Sequence, residues 1–228
     1  IRPDFLTDEG LNYIKSFTKK FIAYYWDSIR RFPRKAEIVD FFDLVYSFDR
    51  LDVEKYDLVF LTNYIFEESN HAQHDCLFFN ICHYDPYRFP LLENLAQYLK
   101  EKSWTYSIQV KHKRMFRKQH TEVITTPKSV QEVSQLIQKA KILVDIQNKK
   151  QTGLSFRVFE ALGHRKKLIT TNKDIVNYDF YHPQNILVLD PEQIEIPEDF
   201  VFSPYVEIDE AVFAKYKIKN WVKEVFEL

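Results

Sequence analysis

Glycine is scarce in this chain: three residues among 228, at Gly10, Gly153 and Gly163. So few leave little room for left-handed turns or close backbone approaches, and each one needs a reason. The scarcity excludes collagen-like and glycine-rich disordered chains. The two cysteines, Cys76 and Cys82, are too few for a disulfide scaffold. Both fall on one expected strand, on one face and too far apart to bridge, so they read as reduced thiols. No stretch approaches the ~20 apolar residues of a membrane helix. The longest uncharged one, LVFLTNYIF at 58–66, is strand-sized. Neither sign of charge is in excess: the formal net charge is −1, which gives no electrostatic reason to expect a nucleic-acid partner. What the chain has in quantity is aromatic, with 20 Phe and 14 Tyr, so its cores should be rich in rings. Apolar residues at 45% and charged residues at 29% are ordinary for a globular protein of one large core or two smaller ones. The chain opens IRPDFLTDEG, without Met and without a signal-peptide pattern. The expectation is a fragment whose true beginning lies upstream.

The patterning alternates short strands with helices, which predicts βα units and parallel sheets. Residues 5–18 read as a helix capped by Thr7, with Leu11, Ile14 and Phe17 on one face. A strand at 19–26, a helix at 36–43, a strand at 44–48, a helical turn at 50–56 and a strand at 58–63 complete a short first domain, 1–66. The polar stretch EESNHAQHD, 67–75, reads as a linker. The pattern restarts with a strand at 76–82, a helix at 86–102 and a strand at 105–111, followed by the basic run KHKRMFRKQH. A short strand at 122–126 precedes a helix at 130–140, where Ser129 and Glu132 form a capping box. Strands at 141–146, 167–171 and 185–190 flank a helix near 155–164. An acidic, Pro-rich loop closes the second domain, 76–208, and helices occupy 209–228. The fold class is therefore α/β, with two Rossmann-like domains, the first incomplete, and a helical tail.

The segment QTGLSFRVFEALGHRKKLITTN, 151–172, holds two of the three glycines. In an open α/β sheet, ligands bind at the carboxyl ends of strands, where helix N-termini offer free backbone N–H groups. Gly153 allows close backbone approach there, Thr152 and Ser155 supply hydroxyls, Arg157 adds fixed charge, and Glu160 suits a ribose diol. Plainer readings compete. Gly163 ends a helix as its C′ residue, and Arg157 with Glu160 forms a surface i,i+3 ion pair.

The run FRVFEALGHRKKLITTN resembles the donor-site segment of GT-B glycosyltransferases: a Glu, then Ala-x-Gly, then a strand ending in Thr. The ordered set YYWDS, FDLVYSFDRLD, YDPYRFPLLENLAQYL, KILVDIQNKKQTGLSFRVFEALG and KKLITTNKDIVNYDFYHPQNILVLD is similar to bacterial lipopolysaccharide and capsule glycosyltransferases of the CgeB-like group. The resemblance spans about 19–190. It implies a nucleotide-sugar donor held by the second domain and a glycan or glycolipid acceptor by the first, with no metal or other cofactor. It gives Glu160 the ribose, and gives Gln151, Thr152, Gly153, Leu154 and Ser155 the diphosphate and sugar. Arg157 would stabilise the leaving diphosphate. His83 and Tyr84, in the loop HYD, and Thr171 with Asn172 would face the same donor. The family pattern departs at Thr152, where many members carry a second Glu, and at NICHYD, which lacks a usual glycine. Asp27 stands as catalytic base or helix cap, and Asp49 shares that ambiguity. The basic run Lys111, Lys113, Arg114, Arg117 and Lys118 reads as a solvated face or as contact with an anionic acceptor or the inner membrane surface. The implied location is cytoplasmic. The alternatives are a nucleotide-sugar epimerase of the same fold and a non-catalytic nucleotide-sugar-binding protein.

Overall fold

In a computed structural model, the structure describes residues 3–69, 74–115 and 120–227. The chain divides into two compact units. The first comprises 1–63, 148–154 and 221–228, and the second comprises 64–147 and 155–220.

The first unit holds helix α1 (Asp8–Lys15), strand β1 (Ile22–Tyr25), helix α2 (Arg34–Glu37), strand β2 (Leu44–Ser47), helix α3 (Arg50–Tyr56) and strand β3 (Val59–Phe60). Its sheet is parallel throughout, in the order β1-β2-β3. Ala23, Tyr25, Ile29, Val45 and Leu58 form its core. Thr7 caps α1 as expected, accepting from the Gly10 N–H at 3.1 Å. The expected buried face fails beyond Leu11: Ser16 Oγ and Thr18 Oγ1 donate back to the carbonyls of Tyr13 and Lys15. The helix stops there, and Phe17 is left 73% exposed. The helix expected at 36–43 is α2 followed by a short 3₁₀ turn at Val39–Phe41.

The second unit is built on six parallel strands: β4 (Cys76–His83), β5 (Tyr106–Lys111), β6 (Glu122–Ile124), β7 (Ala140–Asp145), β8 (Lys167–Thr170) and β9 (Ile186–Val188). Their order is β6-β5-β4-β7-β8-β9, the doubly wound arrangement whose direction reverses between β4 and β7. Helices α4 (Arg88–Glu101), α5 (Val130–Gln138) and α6 (Phe156–Gly163) connect the strands. The core under α4 includes Phe78, Leu92, Leu95, Leu99, Ile142 and Phe200. The capping box of α5 forms, with Ser129 Oγ accepting from the Glu132 N–H and Glu132 Oε2 from the Ser129 N–H.

Helix α7 (Glu198–Phe202) stands inside the stretch expected to be loop, burying Phe200 and Val201. Helices α8 (Glu210–Lys215) and α9 (Ile218–Phe226) follow as expected. Residues 64–69 belong to the second unit. Ile65 exchanges hydrogen bonds with Tyr216 and Ile218, and the Ser69 N–H donates to the Gly163 carbonyl. That contact revises the reading of Gly163. It lies within α6 with no positive φ, and a Cβ there would collide with the Glu67 backbone. The left-handed residue past the helix is Arg165. Both cysteines are free.

Candidate functional site

The direction of the sheet reverses where β4 and β7 end, and a cavity of about 250 Å³ opens there, lined by Asn80, Cys82, Arg88, Asp145, Ser155, Arg157 and Glu160 among others. Parallel strands end together, so the cavity gathers side chains from distant parts of the sequence. Asp145, the last residue of β7, is buried. Its Oδ1 accepts from Ser155 Oγ at 2.9 Å and its Oδ2 from Thr170 Oγ1 at 3.2 Å. Burial pushes its carboxyl upward, against the pull of those hydroxyls and of Arg157. Ser155 caps α6, its Oγ also accepting from the Arg157 N–H.

Arg157 is held by the Ile81 carbonyl at 3.2 Å and lies over the Phe79 ring. Its Nη1 makes an ion pair with Glu160 Oε2 at 2.6 Å. The i,i+3 pair of the plainer reading therefore exists. It is not a solvated surface pair, because the arginine side chain is only 12% exposed. Arg88, on the first turn of α4, donates to the His83 carbonyl through Nη2 and leaves a buried Nε without an acceptor. Two guanidinium groups thus line one polar cavity, Arg157 paired with Glu160 and Arg88 with a buried Nε lacking a hydrogen-bond partner, and such groups suit an anion. Burial raises Glu160, Arg157 opposes that shift, and the charges of Asp145 and Glu67 add to it.

A second cavity of about 380 Å³ shares Phe156 and Glu160 with the first. Its walls are Tyr64, Phe66, Val130, Val133, Ile137 and Phe156, with Lys128, Glu67, Ser134 and His164 as further polar members. Tyr64 and Phe156 meet edge to face, ring centres 5.4 Å apart. A polar cavity next to an apolar, ring-lined slot suits a ligand with an anionic part and a flat part.

Of the expected donor residues, Ser155, Arg157 and Glu160 line the polar cavity. Gln151, Thr152, Gly153 and Leu154 belong to the first unit. Gln151 Nε2 donates to Asp27 Oδ1 at 2.6 Å, and both the N–H and the hydroxyl of Thr152 donate to Asp49. A Cβ on Gly153 would sit 2.5 Å from Phe48. Leu154 is fully buried, and its carbonyl accepts from Asn63 Nδ2 at 2.9 Å. Thr171 and Asn172 close the strand ends instead of lining the cavity. Thr171 Oγ1 accepts from the Gln147 N–H, and the Asn172 side chain caps the 3₁₀ turn at Lys173–Asn177. His83 and Tyr84 are exposed, Tyr84 packing against Phe89 and His112.

In the first unit Asp27 pairs with Arg31 at 2.6 Å, on the same oxygen that Gln151 holds. Asp49 caps α3 through the Leu51 N–H and also accepts from Ser28. Of the basic run, Arg117 and Lys118 lie outside the described residues. Asp145 and Arg88 were not singled out from sequence. The available signals were an acid on the last residue of an apolar strand and a cation opening the helix that follows another.

No known family profile matches the chain, and no curated protein matches its sequence. Solved structures do. An alpha-glucosyltransferase in complex with UDP and a 13-mer DNA containing a HMU base superposes with a TM-score of 0.56 at 12% identity, over 97% of this chain and 75% of its own. An alpha-glucosyltransferase in complex with UDP and a 13-mer DNA containing a central A:G mismatch gives 0.56 at 11%, over 97% and 72%. TarM gives 0.41 at 14%, over 86% and 38%, too loose to carry an argument. At these identities likeness shows fold alone: the chain has a Rossmann-like α/β fold similar to that of the two alpha-glucosyltransferases.

Proposed function

We propose that the protein is a GT-B glycosyltransferase that moves a sugar from a nucleotide-diphosphate donor to a cell-surface glycan, of the lipopolysaccharide or capsule kind. The observation that carries the donor reading is the pair of arginines, Arg88 and Arg157, in a cavity that shares Glu160 with an apolar slot. Diphosphate, ribose and base need those three environments in that order. The acceptor class rests on the ordered sequence resemblance.

In this reading the acceptor oxygen attacks the anomeric carbon while the bond from that carbon to the diphosphate oxygen breaks. Arg88 and Arg157 neutralise the departing diphosphate without a metal, the electrostatic term that usually dominates such steps. Glu160 accepts hydrogen bonds from the ribose hydroxyls, and Ser155 donates to phosphate in exchange for its bond to Asp145. Asp27, whose side-chain contacts with Arg31 and Gln151 both fall on Oδ1, is the carboxylate assigned as base for the acceptor. The placement is cytoplasmic, with the basic run Lys111–Arg114 touching the inner membrane surface; no helix among the described residues is long and apolar enough to cross a membrane.

The test is thermal stabilisation by a panel of UDP-, GDP-, CMP- and dTDP-sugars. At least one should raise the melting temperature, and Glu160→Ala should abolish that rise. A flat response to every donor would sink the assignment, and an epimerised sugar in place of released nucleotide would move it to the epimerase.

A further inference from the structure

The apolar slot has one polar corner. Ser134 Oγ donates to Glu67 Oε1 at 2.7 Å, and His164 Nε2 lies 3.9 Å from Glu67 Oε2. His164 is 2% exposed, and its Nδ1 has no partner among the described residues. A buried ring nitrogen left without a partner costs about 1–3 kcal/mol, and this one belongs to a residue that lines a cavity open to a ligand. Between the Tyr64 and Phe156 rings and the aliphatic side chains of α5, that ligand is flat. Its edge must suit a carboxylate.

The bases differ at that edge. Uracil and thymine present one N–H between two carbonyl oxygens, whose lone pairs repel a carboxylate. Cytosine and adenine place an amino group beside an acceptor nitrogen. Guanine alone presents two adjacent donors, N1–H and the N2 amino group, with the acceptor O6 next to them. A carboxylate has about four acceptor sites, so Glu67 keeps capacity for two donors while holding Ser134. Burial lowers His164, which stays a neutral imidazole offering one donor and one acceptor. Lys128, also lining the slot, supplies a cation for O6.

We infer that the slot selects guanine, with Glu67 reading N1–H and the N2 amino group, so that the donor is a guanosine-diphosphate sugar. This rests on the nucleotide-donor reading of the adjoining cavity. Pairs of charge-assisted hydrogen bonds separate matched from mismatched bases by roughly ten- to a hundredfold.

Isothermal titration of the whole chain with GDP, UDP, ADP, CDP and inosine diphosphate tests it. Inosine diphosphate lacks only the N2 amino group and needs no variant protein. GDP should bind tightest, at least about tenfold above both inosine diphosphate and UDP, and Glu67→Gln should bring GDP and inosine diphosphate together. UDP binding as tightly as GDP, or inosine diphosphate matching GDP, overturns the guanine assignment while the nucleotide site stands. No binding by any nucleoside diphosphate overturns the donor reading and the base assignment with it.

Discussion

At the residue scale, the buried carboxylates of the first unit make its stability respond to pH with opposite signs. Asp52 is 5% exposed and accepts from the Ile29 N–H at 2.7 Å. Burial, with a further push from Asp49, raises its pKa from the ordinary 3.8 to about 6. A folded pKa above the unfolded one means that its contribution is complete below about 3.8 and is lost as pH rises through about 6. Asp52→Asn should therefore gain on the wild type between pH 4 and 7, by at most about 3 kcal/mol at ~1.4 kcal/mol per pKa unit. Thermal unfolding at the two pH values checks this, and a gap that stays constant would contradict it. Asp49 runs the other way. Burial would raise it, but hydrogen bonds from Ser28, Thr152 and Leu51 outweigh that and hold it low. Its contribution is present at neutral pH and lost on acidification. Gly153→Ala, which drives a Cβ into Phe48, should cost about 1–3 kcal/mol in chemical denaturation.

At the scale of elements, local signals were the readable ones. The capping box at Ser129 and the caps at Thr7 and Ser155 form as their sequences indicate, because an N-cap needs only residues two or three positions away. Ser129→Ala should cost about 1 kcal/mol, read as a lowered melting temperature with nucleotide affinity unchanged. What was not readable depends on partners distant in sequence. Gly163 looked like a helix terminator, but what it accommodates is the backbone of Glu67. The stretch 148–154 looked like a donor loop because it joins a strand to a helix. Among its hydrogen bonds are ones to Asp27, Asp49 and Asn63, none of which sequence spacing connects to it. Arg88 and Asp145 escaped notice for the same reason: strand order alone brings β4 and β7 side by side.

At the scale of the whole molecule, alternation of strands and helices was enough to predict parallel sheets, and both sheets are parallel. The likeness in fold to alpha-glucosyltransferases spans 97% of the chain at 12% identity. In the proposed function, the direction reversal of the second sheet holds a nucleoside diphosphate by Arg88, Arg157 and Glu160. The most direct measurement is a crystal structure with the tightest-binding nucleotide. Phosphate oxygens are expected within hydrogen-bond reach of Arg88 and Arg157, ribose hydroxyls on Glu160, and the base in the slot beside Tyr64. A nucleotide whose phosphates touch neither arginine would contradict it.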